Sequence, residues 1–234
     1  MSRHKLNNIF FTVEIAFFTL CAMIFALLGL IGNISETIAN VIYIIFIALS
    51  FGYLFALEFV FPKYDNAVHF KAFAKYYVPT GKMRETGFKR KGIAFVILLW
   101  VIYFSFVALL KMFGFLNWYT FLIGACIMFM LNSFFVRKIC LLSVLFLHNK
   151  NNCCKNCGIN SWDYAIFASA LVFAPKLSLW STIINWTIIG ISVVMLVIWE
   201  INYHKHPYRF YPETNKTLIC TNCLKQCKYK QQKT

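Results

Sequence analysis

The stretch WDYAIFASALVFAPKLSLW, residues 162–180, decides how the chain is threaded. Only about 13 residues, most of them apolar, precede Pro175 and Lys176, whereas a helix needs about 20 to cross roughly 30 Å of hydrocarbon. The piece is therefore either a short fifth crossing or a re-entrant or interfacial helix. The segment after it, residues 180–199, is long enough to cross.

Upstream lie four more apolar runs. They cover residues 10–31, 38–61, 92–113 and 115–136, and none alternates in the manner of a barrel strand. Pro62 ends the second, because proline cannot continue the helical ladder. Of 234 residues, 60% are hydrophobic and 13% charged, against about 45–50% and about 25% in soluble domains. The expected fold is all-α: a polytopic transmembrane helical bundle of six spans, the fifth short or re-entrant, with a cytosolic cysteine-rich C-terminal tail. Residues 1–200 would form the bundle, with a basic cytosolic loop at 62–91. Residues 201–234 would form the tail and pack on segment 149–162. The leader MSRHKLNN precedes an apolar run too long for a signal-peptide core.

Charge chooses among the threadings. With six crossings and both termini cytosolic, 21 of the 23 basic residues fall inside, and only Lys111 and Lys176 fall outside. Five crossings, or a re-entrant fifth segment, would place the basic tail outside, against the positive-inside rule. The net charge of +15 thus reads as topology and as attraction to anionic headgroups, with no nucleic-acid partner. The cell membrane is the expected location.

Two cysteine clusters sit in the hydrated segments. Cys153, Cys154 and Cys157 precede the short fifth piece, and Cys220, Cys223 and Cys227 lie in the tail. Cys154 with Cys157, and Cys220 with Cys223, form two C-x2-C knuckles whose four thiolates suit tetrahedral zinc. Cys153 and Cys227 are extra, so an iron–sulfur cluster or reactive thiols remain alternatives. Disulfides would need an oxidising compartment, which the orientation opposes. Cys21, Cys126 and Cys140 lie in apolar stretches and read as small packing residues. His4, His69, His148, His204 and His206 all fall on the cytosolic side and could replace a thiolate, although solvated interfacial residues are the commoner outcome.

Glu14 and Glu58 lie within spans, while Asp163 and Glu200 bracket the last hairpin. Carboxylates at that depth are costly unless paired, so they are site candidates as well as candidates for interfacial ion pairs. Asn132 and Asn185 could hydrogen-bond between helices. Ala48, Gly52 and Ala56 recur on one face of the second span and read as close packing inside the bundle rather than as a dimer face; Gly29 and Gly32 read the same way. Asn33, Asn185 and Asn215 match the glycosylation pattern, without information at these depths. No phosphate loop, serine nucleophile or zinc-protease motif is present. Three functions remain: a metal-stapled membrane protein that docks a cytosolic protein partner, a membrane redox protein, and a small proton- or cation-coupled transporter.

Overall fold

The computed structural model describes residues 3–32, 34–59, 75–81, 93–137, 162–210 and 214–218. Every regular element among these residues is helical, apart from one isolated antiparallel bridge between Pro79 and Asn215. The helices are α1 (Arg3–Ile31), α2 (Glu36–Phe59), α3 (Ile93–Met112), α4 (Trp118–Arg137), α5 (Trp162–Ser169) and α6 (Leu179–Lys205). A 3-10 turn, Ala170–Phe173, prolongs α5, and two more, Pro207–Phe210 and Lys216–Leu218, follow α6. Three helices, α1, α2 and α6, are long and apolar enough to cross a membrane; α3 and α4 carry shorter apolar stretches. Helices are the expected answer for such segments, since each satisfies its own backbone without water.

Side chains and glycines end the helices where the sequence turns. Gly32 takes φ 73° just past α1, and Ser35 accepts the Ile38 N–H at 3.4 Å to open α2. Gly114, at φ 76°, lets the Phe115 N–H reach the Leu110 carbonyl at 3.0 Å and close α3. Thr120 then donates to the Phe115 carbonyl at 2.7 Å and accepts the Asn117 N–H, starting α4. α5 with its 3-10 turn rises only about 20 Å, so it does not span hydrocarbon as a helix alone. Beyond Ala174 the chain is non-helical until Ser178, whose hydroxyl accepts the Ser181 N–H at 3.1 Å and caps α6.

Aromatic rings set the helix directions. α1 runs antiparallel to α4: Phe11 meets Phe134, Phe18 stacks on Phe129 at 5.0 Å, and Gly29 lies against Tyr119. α2 runs against α1 and alongside α4, with Phe46 edge-on to Phe25 and Phe51 edge-on to Phe129. α6 runs in the same direction as α2, because Ser178 meets Asn40 and Asn185 meets Tyr43. From α5, Phe167 reaches Phe129 at 6.1 Å. The Phe129 ring thus touches α1, α2 and α5 from its place on α4. α3 attaches differently: its Trp100 donates to Ser169 at 3.1 Å and its Phe104 packs on Phe173, at the end of α5.

The small residues divide unexpectedly. Gly29 is an internal packing position, as its spacing predicts. Gly32 instead serves as a helix stop. Ala48 and Gly52 are exposed and Ala56 is half-buried, so Ala48 and Gly52 do not pack inside the bundle among the described residues, contrary to expectation. The inward face of α2 is occupied by Tyr43, Phe46, Ile47, Ser50 and Phe51 instead. α6 also outruns its expected span of 180–199 by continuing to Lys205. The close approach at Gly29 is testable. A methyl group there would lie 2.7 Å from the Tyr119 ring, and overpacking of this kind costs about 1–3 kcal/mol. Gly29→Ala should therefore lower the thermal midpoint of detergent-solubilised protein, whereas Gly52→Ala, which meets open space, should leave it unchanged.

Candidate functional site

Polar chemistry collects in two places, the seam of the bundle and the end of α6. Along the seam, the Ser178 hydroxyl donates to the Asn40 side-chain carbonyl at 2.7 Å, and the Tyr43 hydroxyl donates to the Asn185 side-chain carbonyl at 2.9 Å. One heptad further along each helix stand Ser50 and Ser192, both buried. Their hydroxyls have no hydrogen-bond partner among the described residues. Tyr53 then donates to Glu14, which is only 5% exposed. From Asn40 to Tyr53 this row covers about 20 Å along α2. Interhelical hydrogen bonds of this kind hold spans together where hydrophobic attraction between them is lost.

At the other end, α6 finishes in an aromatic stack. Trp199 lies flat on Tyr203 at 5.6 Å, and Phe210 stands edge-on to both. All three rings are buried, because the 3-10 turn Pro207–Phe210 folds back beneath the helix. Tyr77, from the segment between α2 and α3, packs edge-on to Tyr208. The Arg209 guanidinium lies 5.6 Å from the Tyr77 ring and 5.6 Å from the Tyr208 ring, a cation–π arrangement.

Backbone pairing completes this strap. The Thr80 N–H donates to the Thr214 carbonyl at 3.1 Å, and the Lys216 N–H donates to the Val78 carbonyl at 2.8 Å. Asn215 is the hub, fully buried at 0% exposure. Its carbonyl oxygen accepts from the Val78 N–H, the Thr217 N–H and the Thr217 hydroxyl, and its amide donates to the Arg209 carbonyl at 2.8 Å. Thr214 adds a hydrogen bond to the Tyr208 carbonyl. An asparagine suits the position because one side chain supplies both acceptor and donor.

Cys153, Cys154, Cys157, Cys220, Cys223 and Cys227 lie outside the described residues, as do Cys140, His69 and His148. Among the described residues no group of three or more His, Cys, Asp or Glu side chains could hold a metal ion. His204 lies 3.8 Å from Glu200 one turn earlier on α6, and His206 shares a hydrogen bond with Tyr208 at 3.3 Å. Cys21 and Cys126 are free thiols within the bundle, Cys126 fully buried, in the packing role expected of them. The described part of the tail pairs with segment 75–81; residues 149–161 of its expected partner lie outside the described residues.

Sequence reasoning found Asn185 but not its partner Tyr43, and found Glu14 but not Tyr53. It missed the strap altogether. The one signal there was an asparagine between two threonines, TNKT, which reads equally well as a glycosylation pattern. Asn215→Ala should detach the tail, since each buried backbone group left unpaired costs about 1–3 kcal/mol. Faster amide exchange at Val78 and Thr80, with the exchange at α1 and α4 unchanged, is the expected result.

Comparison of the chain with protein-family models, with curated proteins and with solved structures found no match.

Proposed function

We propose that this chain is a six-span membrane protein whose tail, basic loop and cysteine clusters gather on the cytosolic face. There a zinc ion held by thiolates staples the tail and completes a docking surface for a protein partner. The pairing of residues 78–80 with 214–216 is the observation that carries this reading. It ties the segment between α2 and α3 to the segment after α6, so an even number of crossings separates them. α3, α4 and α6 account for three, and the leg built from α5 and the extended residues after it supplies the fourth. The shared direction of α2 and α6 supports the same parity. With 21 of 23 basic residues then on the strapped side, the positive-inside rule makes it cytosolic.

The strap also favours a meeting of the cysteines. Cys220 follows the turn Lys216–Leu218 by two residues, so it starts within about 7 Å of Leu218. Cys157 precedes α5 by five residues, at the end of that helix lying towards the same face. Cys154, Cys157, Cys220 and Cys223 then supply four thiolates, with Cys153 and Cys227 as neighbours. Zinc binding would add to the stability of a tail that is too short to fold on its own.

Two measurements test the proposal. Protein purified without oxygen should carry one zinc per chain, and the double variant Cys220→Ser, Cys223→Ser should carry none. A visible absorption band with stoichiometric iron would replace the docking role with a redox one. Labelling of Cys220 by an impermeant maleimide in intact cells, without permeabilisation, would overturn the orientation.

A transport role draws on one separate observation, the burial of Glu14 against Tyr53 inside the helical bundle. An ionisable group at membrane depth is a natural proton or cation carrier. Under that reading Glu14→Gln abolishes coupled uptake into vesicles while leaving the zinc content unchanged.

A further inference from the structure

The described residues enclose a large apolar space. α3 and α4 meet at the hairpin around Gly114, and α3 is held further along at the end of α5 through Trp100–Ser169 and Phe104–Phe173. Between them lies a cavity of about 330 Å³. Its floor includes Phe51, Val107, Phe121 and Phe129, all buried. Its polar lining groups are the hydroxyls of Tyr103 and Thr120, and that of Thr120 already donates to the Phe115 carbonyl.

We propose that this cavity is a binding site for the hydrocarbon chain of a membrane phospholipid, entered sideways between α3 and α4. The inference rests on the membrane reading above. Three observations select this occupant. First, the lining includes Phe106 at 58% exposure and Ile127 at 46%, both more than one turn inside the ends of their helices. The mouth therefore opens within the spans, where the surrounding solvent is acyl chain rather than water. Second, water is a poor tenant, since a buried water needs two to four polar partners and the lining offers almost none. Third, the volume is about twice that of the ~150 Å³ apolar cavity that stays dry and takes up a benzene-sized guest. Left empty, the site would forfeit dispersion contacts around its whole lining.

Gly124 gives the means to close it. This residue lines the cavity from α4, and a Cβ there meets nothing within 4 Å. Gly124→Phe therefore fills the space from within, in a helical conformation that any residue adopts. Gly190→Phe is the matched control: Gly190 is exposed on α6, does not line the cavity, and also has open space around it.

The experiment reconstitutes the full chain in phosphatidylcholine vesicles containing a phospholipid with a photoactivatable diazirine in mid-chain. After irradiation, adducts are mapped by mass spectrometry. Adducts on Val107 and Phe121 are expected, because at 8% and 7% exposure these residues are shielded from the lipid around the protein. Gly124→Phe should lower their yield about tenfold, and Gly190→Phe should not. Equal yields at Val107 and Phe121 in the native protein and Gly124→Phe would overturn the site. So would the absence of these adducts, including the case in which cross-links place a second copy of the chain over Phe106 and Ile127. Adducts on the outward residues Leu20 and Leu49, both exposed, report insertion separately. Their loss would instead overturn the membrane reading.

Discussion

The Phe129 ring is the contact on which the rest of the bundle depends. It stacks on Phe18 of α1, meets Phe51 of α2 edge-on and lies near Phe167 of α5. In hydrocarbon, burying an apolar side chain against another gains little from the loss of water, so association relies on close packing and on hydrogen bonds. Aromatic rings serve the first need, because each brings a large rigid surface with preferred edge and face contacts. The abundance of phenylalanine, 26 residues in all, then reads as a packing device as much as a hydrophobic one. The hydrogen bonds from Ser178 to Asn40 and from Tyr43 to Asn185 serve the second, and they set the register of α6 against α2.

Parity connects this packing to the face of the protein. Under the proposed threading, a chain held at Val78 and again at Lys216 has both points on one side, whatever lies between. In the proposed six-span threading the fifth leg can therefore be short and only partly helical. Its 3-10 turn and the extended residues to Ser178 gain height faster than an α-helix would, which reconciles an 8-residue helix with passage towards the level of Asn40. Non-helical backbone is tolerated at such depth when protein surrounds it, and Ala174 is buried while Ser178 is capped and bonded.

Much of the helical plan was legible in the sequence, because long apolar runs have one stable backbone solution in lipid. Gly32 falls at the end of its helix, and the ambiguity at 162–180 corresponds to a real irregularity. The failures share a cause. The face of a helix turned inward is not marked when both faces are apolar, so the stripe at Ala48, Gly52 and Ala56 was assigned to the interior while Tyr43 and Phe51 hold that place. The strap was invisible for another reason: its pairing partners, residues 78–80 and 214–216, lie far apart in sequence and carry no periodic pattern. Asn215 earns its position through four hydrogen bonds that no local spacing announces.

The separation of those partners, 137 residues between Val78 and Asn215, has a consequence for biosynthesis. At about 5–20 residues per second, segment 75–81 leaves the ribosome on the order of ten seconds before the residues that cover it. During that interval Tyr77 and the amides around Val78 await their partners. Completion of this face is thus a post-translational event, and a chain truncated before Thr214 would be born with its helices in place and its loop still unlatched.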